Sequence, residues 1–401
     1  MPTLPNFTQF EGRYWDTAAI RNALDYQGVL APHTGQPFSE AMLLGISGGV
    51  TFGYFTFHYK GYDPQVNLLT RNTFEPMERI YDRMKLPRDL RRSASANKGR
   101  QNLIDALEEG YAAIASPDGS LLPYNALPYD QANWHTMPLV IYGYEPDSGE
   151  AYISDRSRTS LTVSTDDLDA ARARVKKDRH GLTLLGAPDD SALAGAIRAG
   201  IADTVQLMTE KPLKGSARNF GLKALQHWAD MLAKTSKGSW AREYATGRPL
   251  LAVLISSYTF LGPAFGKTMG AERDVYADFL NEAAAALEAA ALNDVAALYR
   301  ESAAAWQRLL DSLLPEDAPM LSETRALIDR KTDLFIESGA AQLDEIRACY
   351  QRLEALKTEA ESDFPLSESE VAELRASIRD RVLEVSEAEA AAVLALKGAI
   401  S

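Results

Sequence analysis

The segment NWHTMPLVIYGYEPDSGEAYISDRS, residues 133 to 157, predicts a β-hairpin that carries two chemically useful side chains. PLVIYGY and AYISD have the length and the β-branched and aromatic content of strands. The Pro-Asp-Ser-Gly sequence between them is typical of a tight turn. His135 leads the first strand and Asp155 ends the second. Because antiparallel pairing brings these two ends together, we expect the imidazole and the carboxylate to lie close to each other.

The residues before this hairpin mix helices and short strands. Periodic apolar positions predict helices from Thr17 to Tyr26 and from Ser39 to Leu44, with Ser39 as the N-cap and Gly45 as the stop. YAAIAS, residues 111 to 116, has the composition of a further strand. The pattern predicts an α+β domain over residues 1–186, with helices first and an antiparallel sheet after them.

Beyond Pro188 the apolar residues recur every three and four positions, which indicates helices. We expect an all-α domain over residues 187–318, followed by an antiparallel helical hairpin over residues 319–401. Ser367 and Glu370 fit a capping box for the last helix. Two apolar stripes mark the helices of this hairpin: Leu343, Ile346, Tyr350 and Leu353, then Val371, Leu374, Ile378, Val382 and Val385. Such stripes must be buried, so we expect the hairpin to pack on the helical domain or to form a homo-oligomer.

Composition limits the classes of function. With 401 residues, 46% of them apolar, the chain is long enough for two or three domains. The 55 acidic and 42 basic residues give a formal charge of -13, which opposes binding to nucleic acid or to anionic membranes. No targeting segment and no run of roughly 18 apolar residues is found, so we expect a cytoplasmic protein. The basic segment RMKLPRDLRRSASANKGR, residues 83 to 100, is either a solvated surface or a docking surface for an acidic carrier protein.

Metal and disulfide chemistry is not indicated. The single cysteine, Cys349, excludes an internal disulfide framework and a cysteine-based zinc site. The five histidines are scattered without ligand spacing, at positions 33, 58, 135, 180 and 227. We therefore expect neither a metal nor a cofactor.

A papain-type site needs a nucleophilic cysteine at a helix N-terminus, a histidine base from a later strand, and a side chain that orients the base. His135 and Asp155 supply the second and third parts. Gln9 precedes Trp15 by six residues, the spacing of a papain-type oxyanion glutamine. Since one residue at one spacing is often coincidental, Gln9 is a weaker candidate than the hairpin pair.

Six segments of the chain are similar to the sequence pattern of one known family. EGRYWDTAAIRNAL is similar to the family pattern Gly-x-His-Cys-x-Thr-x-Ala-Leu-x-x-x-Leu, and SEAMLLGISGGVTFGYF to its Ser-Glu-Ala run into a Gly-rich turn and an aromatic strand. LPYDQANWHTMPLVIYGY followed by YISD is similar to its Leu-Pro-Tyr, His and Asp segments. FGLKALQHWADML and GAERDVYADFLNEAA resemble its following helical domain. Through these segments the chain resembles the family of butirosin biosynthesis protein H. The resemblance covers about residues 5 to 315, and the last 85 or so residues show none.

The resemblance implies a papain-like fold adapted to amide-forming acyl transfer in natural-product biosynthesis, from a carrier-protein thioester to an amine. In that family the cysteine takes the acyl group, the histidine is the base, and the aspartate orients the histidine. His135 and Asp155 match the base and the orienting acid. Trp15 stands at the nucleophile position and Tyr14 at the histidine before it. The chain therefore lacks the thiol that would form the acyl-enzyme.

Three interpretations of this altered site remain open. In the first, His135, oriented by Asp155, deprotonates an amine that attacks a bound thioester directly. In the second, a neighbour at the start of the helix, Asp16 or Thr17, replaces the nucleophile, although a carboxylate there is also expected simply from the helix dipole. In the third, catalysis is lost and a pseudoenzyme binds a ligand or serves as a scaffold. In the third interpretation Trp15 fills the space once given to substrate. The candidate substrate-binding residues are Gln9, Tyr14, Trp15 and Thr17.

Overall fold

The computed structural model describes residues 2–10, 12–127, 135–210, 218–262 and 270–400. The chain divides into two compact units that are interleaved along the sequence. The sheet unit comprises Met1–Leu43, Pro76–Ala196 and Asp333–Arg347, and the helical unit comprises Leu44–Glu75, Ile197–Thr332 and Ala348–Ser401. The predicted segments 1–186, 187–318 and 319–401 are contiguous and differ from these units, because pieces of the chain pack with partners that are distant in sequence. That the three segments are separate domains stays a prediction.

The sheet unit contains a six-stranded antiparallel sheet with the strand order β3-β8-β4-β5-β6-β7. Its strands are β3 (Arg88–Arg91), β4 (Ala113–Ala115), β5 (Leu139–Glu145), β6 (Glu150–Ser154), β7 (Leu161–Ser164) and β8 (Leu182–Leu185). Its helices are α1 (Trp15–Tyr26), α3 (Pro76–Arg83), α4 (Ala96–Glu108) and α5 (Thr165–Arg174). Helices α1 and α4 both pack against β4, β5 and β8. The mixed α+β class and the hairpin of β5 and β6 are confirmed.

The register of this hairpin positions the predicted site residues. Val140 pairs with Ser154 and Glu145 pairs with Glu150. Asp155, the residue after β6, is therefore level with the start of β5 at Leu139. His135 lies four residues before that start, so it is not the first residue of the strand.

The helical unit contains a two-stranded hairpin and a set of packed helices. Strands β1 (Val50–Phe57) and β2 (Gln65–Arg71) are antiparallel and pack against α7 and α9 respectively. The helices of this unit are α7 (Gly221–Ala233), α8 (Trp240–Glu243), α9 (Gly247–Leu261), α10 (Arg273–Ala286), α11 (Ala291–Leu313) and α14 (Glu368–Ala399). Four helices have residues in both units: α2 (Glu40–Ile46), α6 (Leu193–Thr209), α12 (Pro319–Ser338) and α13 (Leu343–Ser362). The prediction that the described residues between about 190 and 315 are helical is confirmed.

Helix α2 shows one correct and one wrong boundary. The Ser39 hydroxyl accepts the backbone N–H of Met42 at 2.9 Å, so the predicted N-cap is confirmed. Gly45 does not stop the helix, which continues to Ile46. A Cβ at Gly45 would overlap the ring of Phe279. The glycine is therefore needed for close packing and not for a helix end.

The last helix begins as predicted and buries its apolar stripe within the chain. Ser367 and Glu370 form the capping box of α14. The five stripe residues are buried: Val371, Leu374, Ile378, Val382 and Val385. Helix α14 packs against α7 and α11. Among the described residues, no helix is long and apolar enough to cross a membrane.

Candidate functional site

A buried glutamate occupies the N-terminal end of α1. Tyr14, the N-cap, is extended (φ -124°, ψ 139°), and the Glu40 carboxylate accepts backbone N–H groups from Arg13 at 2.8 Å and Tyr14 at 3.0 Å. It also accepts the Thr17 hydroxyl at 2.8 Å. Burial raises the pKa of Glu40, although these donors oppose the shift. The positive end of α1 therefore already holds a carboxylate. The sequence did not predict this role, because Glu40 was visible only as part of a helix start.

The two residues considered as replacement nucleophiles are buried in this arrangement. Thr17 is fully buried and gives its hydroxyl hydrogen to Glu40. Asp16 is 6% exposed, and its Oδ1 accepts the N–H of Thr17 at 2.8 Å. Both side chains thus stabilise the first turn of α1.

Trp15 is half-buried and forms a stack with an arginine. The guanidinium of Arg156 lies 4.1 Å from the centre of the Trp15 ring and 4.9 Å from the centre of the Phe335 ring. Phe335 comes from the last turns of α12, far along the chain. The cation therefore contacts two aromatic rings, one of them at the position that the resemblance assigns to the nucleophile.

Both carboxylate oxygens of Asp155 have partners. Oδ2 accepts the Tyr124 hydroxyl at 3.0 Å, and Oδ1 accepts the backbone N–H and the Nε–H of Arg156 at 2.7 and 3.0 Å. The Asp155 side chain is only 1% exposed. Burial, with the neighbouring Asp155 charge, raises the pKa of Tyr124 well above its usual value, so the phenol stays a donor. Tyr124 also stacks on Phe335, with ring centres 5.9 Å apart.

His135 is exposed, and its backbone is held by a buried aspartate. Asp118 accepts the His135 N–H at 3.1 Å, and the His135 carbonyl accepts the N–H of Gly119 at 2.8 Å. Burial opposes ionisation of Asp118, but donors from His135, Ser120 and Arg174 hold its pKa below the ordinary value. Within the described residues, no hydrogen bond joins the His135 ring to Asp155. That Asp155 orients His135 as a catalytic base stays a prediction.

Gln9 contacts the segment that follows Asp155. Its side-chain amide donates to the backbone carbonyls of Asp155 at 3.1 Å and Thr159 at 3.4 Å, and also to that of Ser157. The amide hydrogens that an oxyanion site would need are therefore directed at the protein backbone. Its role in substrate binding stays a prediction.

The structure thus brings together Gln9, Trp15 and Asp155, and adds three residues that sequence reasoning missed: Tyr124, Arg156 and Phe335. Arg156 directly follows Asp155, but no sequence signal marks Phe335. No cluster of three or more metal-binding side chains occurs in the described part of the chain. Residues 128–134, which carry part of the resembling segment LPYDQANW, lie outside the described residues.

Two family models match the chain. Residues 16–156 match butirosin biosynthesis protein H, N-terminal, and residues 166–314 match a domain of unknown function, DUF4872. No curated protein matches the chain. The first match begins at Asp16, directly after Trp15, so the alignment of Trp15 with the family cysteine stays a prediction. The order and extent of the two matches agree with the predicted resemblance, and the chain matches a butirosin biosynthesis protein H-like family over residues 16–156 and 166–314.

Proposed function

We propose that this biosynthetic protein binds an acyl thioester or its amine partner in an amide-forming pathway without forming a covalent acyl-enzyme. The proposal assumes a papain-like arrangement of the N-terminal region, in which Trp15 replaces the cysteine. The acyl donor is then carried by an acyl carrier protein or another thioester, and the basic segment 83–100 is the proposed docking surface for an acidic carrier.

The stack of Arg156 on Trp15 at 4.1 Å carries this proposal. A tryptophan has no nucleophilic atom, and its ring here is covered by a cation that is itself paired with Asp155. An orienting aspartate would instead have an oxygen available for the histidine. The two carboxylate oxygens of Asp155 accept from Tyr124 and Arg156, which favours a structural role.

The exposure of His135 favours a second candidate function, acyl transfer without a covalent intermediate. An exposed imidazole is within reach of an attacking amine, and thioesters are activated enough for direct aminolysis when the two reactants are held together. This function requires only positioning and one base, so the loss of the cysteine does not exclude it.

One experiment separates the two functions. The purified protein and His135→Ala are incubated with a pool of N-acetylcysteamine and carrier-bound thioesters and a pool of amines. Native mass spectrometry then measures bound ligand, and product analysis measures amide. Retained thioester or amine without new amide from either protein is the expected result. Amide made by the unmutated protein and lost in His135→Ala would establish the second candidate. No binding and no amide would contradict both.

A further inference from the structure

We infer that the outer edge of the Arg156 guanidinium binds an anionic group, a carboxylate or a phosphate, of the ligand of this site. The inference rests on the proposed function, because it names the ligand class of the same site. Arg156 is neither the predicted nucleophile nor the predicted base.

The inner edge of Arg156 is already occupied, whereas its outer edge is not. The Nε–H donates to Asp155 at 3.0 Å. The Nη1 and Nη2 groups donate to no residue in the part of the chain that the structure describes. The side chain is 11% exposed, and neither Nη atom is among the buried polar atoms that lack a partner, so both groups are open to solvent. An anionic ligand would replace water there and accept charge-assisted hydrogen bonds from a largely buried cation.

The two flanking rings fix the direction of this outer edge. Trp15 and Phe335 hold the planar cation at 4.1 and 4.9 Å, and the salt bridge to Asp155 prevents rotation within the plane. A guanidinium oriented in this way presents a fork that matches the two oxygens of a carboxylate or phosphate. Because the arginine is ordered before the ligand arrives, binding loses little side-chain entropy.

One wall of this anion site comes from the C-terminal part of the chain. Phe335 lies outside both matched ranges, which end at residues 156 and 314. The carbonyl of Ile336 accepts the N–H of Arg158 at 2.7 Å, which attaches the end of α12 to the segment after Asp155. The C-terminal residues therefore contribute to ligand selection as well as to packing.

Three probes of equal ring size test the inference: benzoate, phenyl phosphate and the neutral benzamide. Each is titrated at one low ionic strength into the unmutated protein, Arg156→Gln, Arg156→Lys and Arg300→Gln, with binding followed by calorimetry. Arg156→Lys keeps the charge beside Asp155 and loses the planar fork, so it tests the site even if Arg156→Gln fails to fold. Arg300→Gln is the matched control, because the exposed Arg300 on α11 also pairs with an aspartate, Asp278, and belongs to the helical unit.

We expect one anionic probe to bind at least about tenfold more tightly than benzamide, and this preference to be lost in both Arg156 variants but kept in Arg300→Gln. Preference for benzoate or for phenyl phosphate identifies the group as a carboxylate or a phosphate. Equal binding of all three probes, or a preference that persists in Arg156→Lys and Arg156→Gln, would overturn the inference. The thioester and amine pools are measured with the same samples. If the protein binds a thioester or an amine but shows no preference for anionic probes, only this inference is contradicted. If it binds an anionic probe through Arg156 but binds no thioester and no amine, only the proposed function is contradicted.

Discussion

The guanidinium carbon of Arg156 lies 4.1 Å from the centre of the Trp15 ring, at the N-terminus of α1. A cysteine at this position would have a small side chain and a helix terminus free to stabilise a thiolate. Here the terminus holds Glu40, and the side chain supports a cation. The N-terminus of α1 therefore carries a bonded network of aromatic, cationic and acidic groups.

The Asp155 carboxylate is expected to stabilise the fold. Asp155→Asn removes the charge that pairs with the mostly buried Arg156, and we expect the free energy of unfolding to fall by about 1–3 kcal/mol. Urea denaturation followed by circular dichroism measures the change. Asp89→Asn, which alters the exposed pair with Arg91, is the control and should change stability by less than about 1 kcal/mol. An Asp155→Asn protein as stable as the unmutated one would contradict a structural role.

We expect the stabilisation that Asp118 provides to be lost in acid. Its pKa is lower in the folded protein than in the unfolded chain, where it is near 3.8. The stabilisation is therefore present above that unfolded value and is lost as the pH falls through the lower folded value. Asp118→Asn should destabilise the protein at pH 7 by about 1–3 kcal/mol and by less at low pH. Unfolding curves between pH 2 and pH 7 test this, and an equal difference at every pH would refute it.

We expect Glu40 to make the free energy of unfolding depend on pH in the opposite direction. Its pKa is raised by burial, so the folded protein holds this proton more tightly than the unfolded chain does. Its contribution is therefore full below the unfolded value of about 4.5 and is lost as the pH rises through the raised folded value. The difference in unfolding free energy between Glu40→Gln and the unmutated protein isolates the contribution of Glu40, because the other acidic residues are the same in both proteins. The unmutated protein should lose stability relative to the variant between pH 4.5 and neutrality, as measured by urea denaturation; parallel profiles would disprove this.

A buried ion pair in the helical unit is expected to be sensitive to the loss of one partner. Arg273 and Glu389 are both fully buried, with Nε and Oε1 2.7 Å apart, and Glu389 also accepts the Trp306 N–H at 2.8 Å. Glu389→Gln leaves a buried cation without its counter-charge, which should cost about 3–5 kcal/mol of unfolding free energy.

Two control variants show whether the missing counter-charge is the cause. Replacing both partners, Glu389→Met with Arg273→Met, should cost less than the single change, because no unpaired charge remains. Glu323→Gln alters the exposed pair with Arg352 and should change stability by at most about 1 kcal/mol. Guanidinium denaturation measures the unfolding free energy of Glu389→Gln, of the double variant and of Glu323→Gln. A double variant that is less stable than Glu389→Gln would show that the charge is not the reason.

Local features of the fold were predictable because their causes lie within a few residues of sequence. The Ser39 N-cap and the Ser367–Glu370 capping box depend on side chains that bond to backbone groups two or three positions away. The hairpin of β5 and β6 follows from its turn and its strand composition. Gly45 was misjudged because the reason for it, the ring of Phe279, is more than two hundred residues away.

The candidate site was predictable only in part. The hairpin places Asp155 at the end of β6, but the register leaves His135 four residues ahead of β5, where Asp118 holds its backbone. A shift of a few residues in strand start decides whether a base and an acid meet, and composition does not resolve such a shift. That the chain has no cysteine before Cys349 was visible in the sequence, whereas the contact of Arg156 with Trp15 was not.

By itself, the sequence determined the α+β and helical composition, the family and the absence of a thiol at the expected position, because these depend on residue identity and local periodicity. Only the tertiary structure decided that Glu40 occupies the α1 terminus, that Arg156 contacts the rings of Trp15 and Phe335, and that the two units interleave along the chain. These are contacts between residues far apart in sequence. They are selected by packing and by the cost of burying unpaired charge, which no local pattern records.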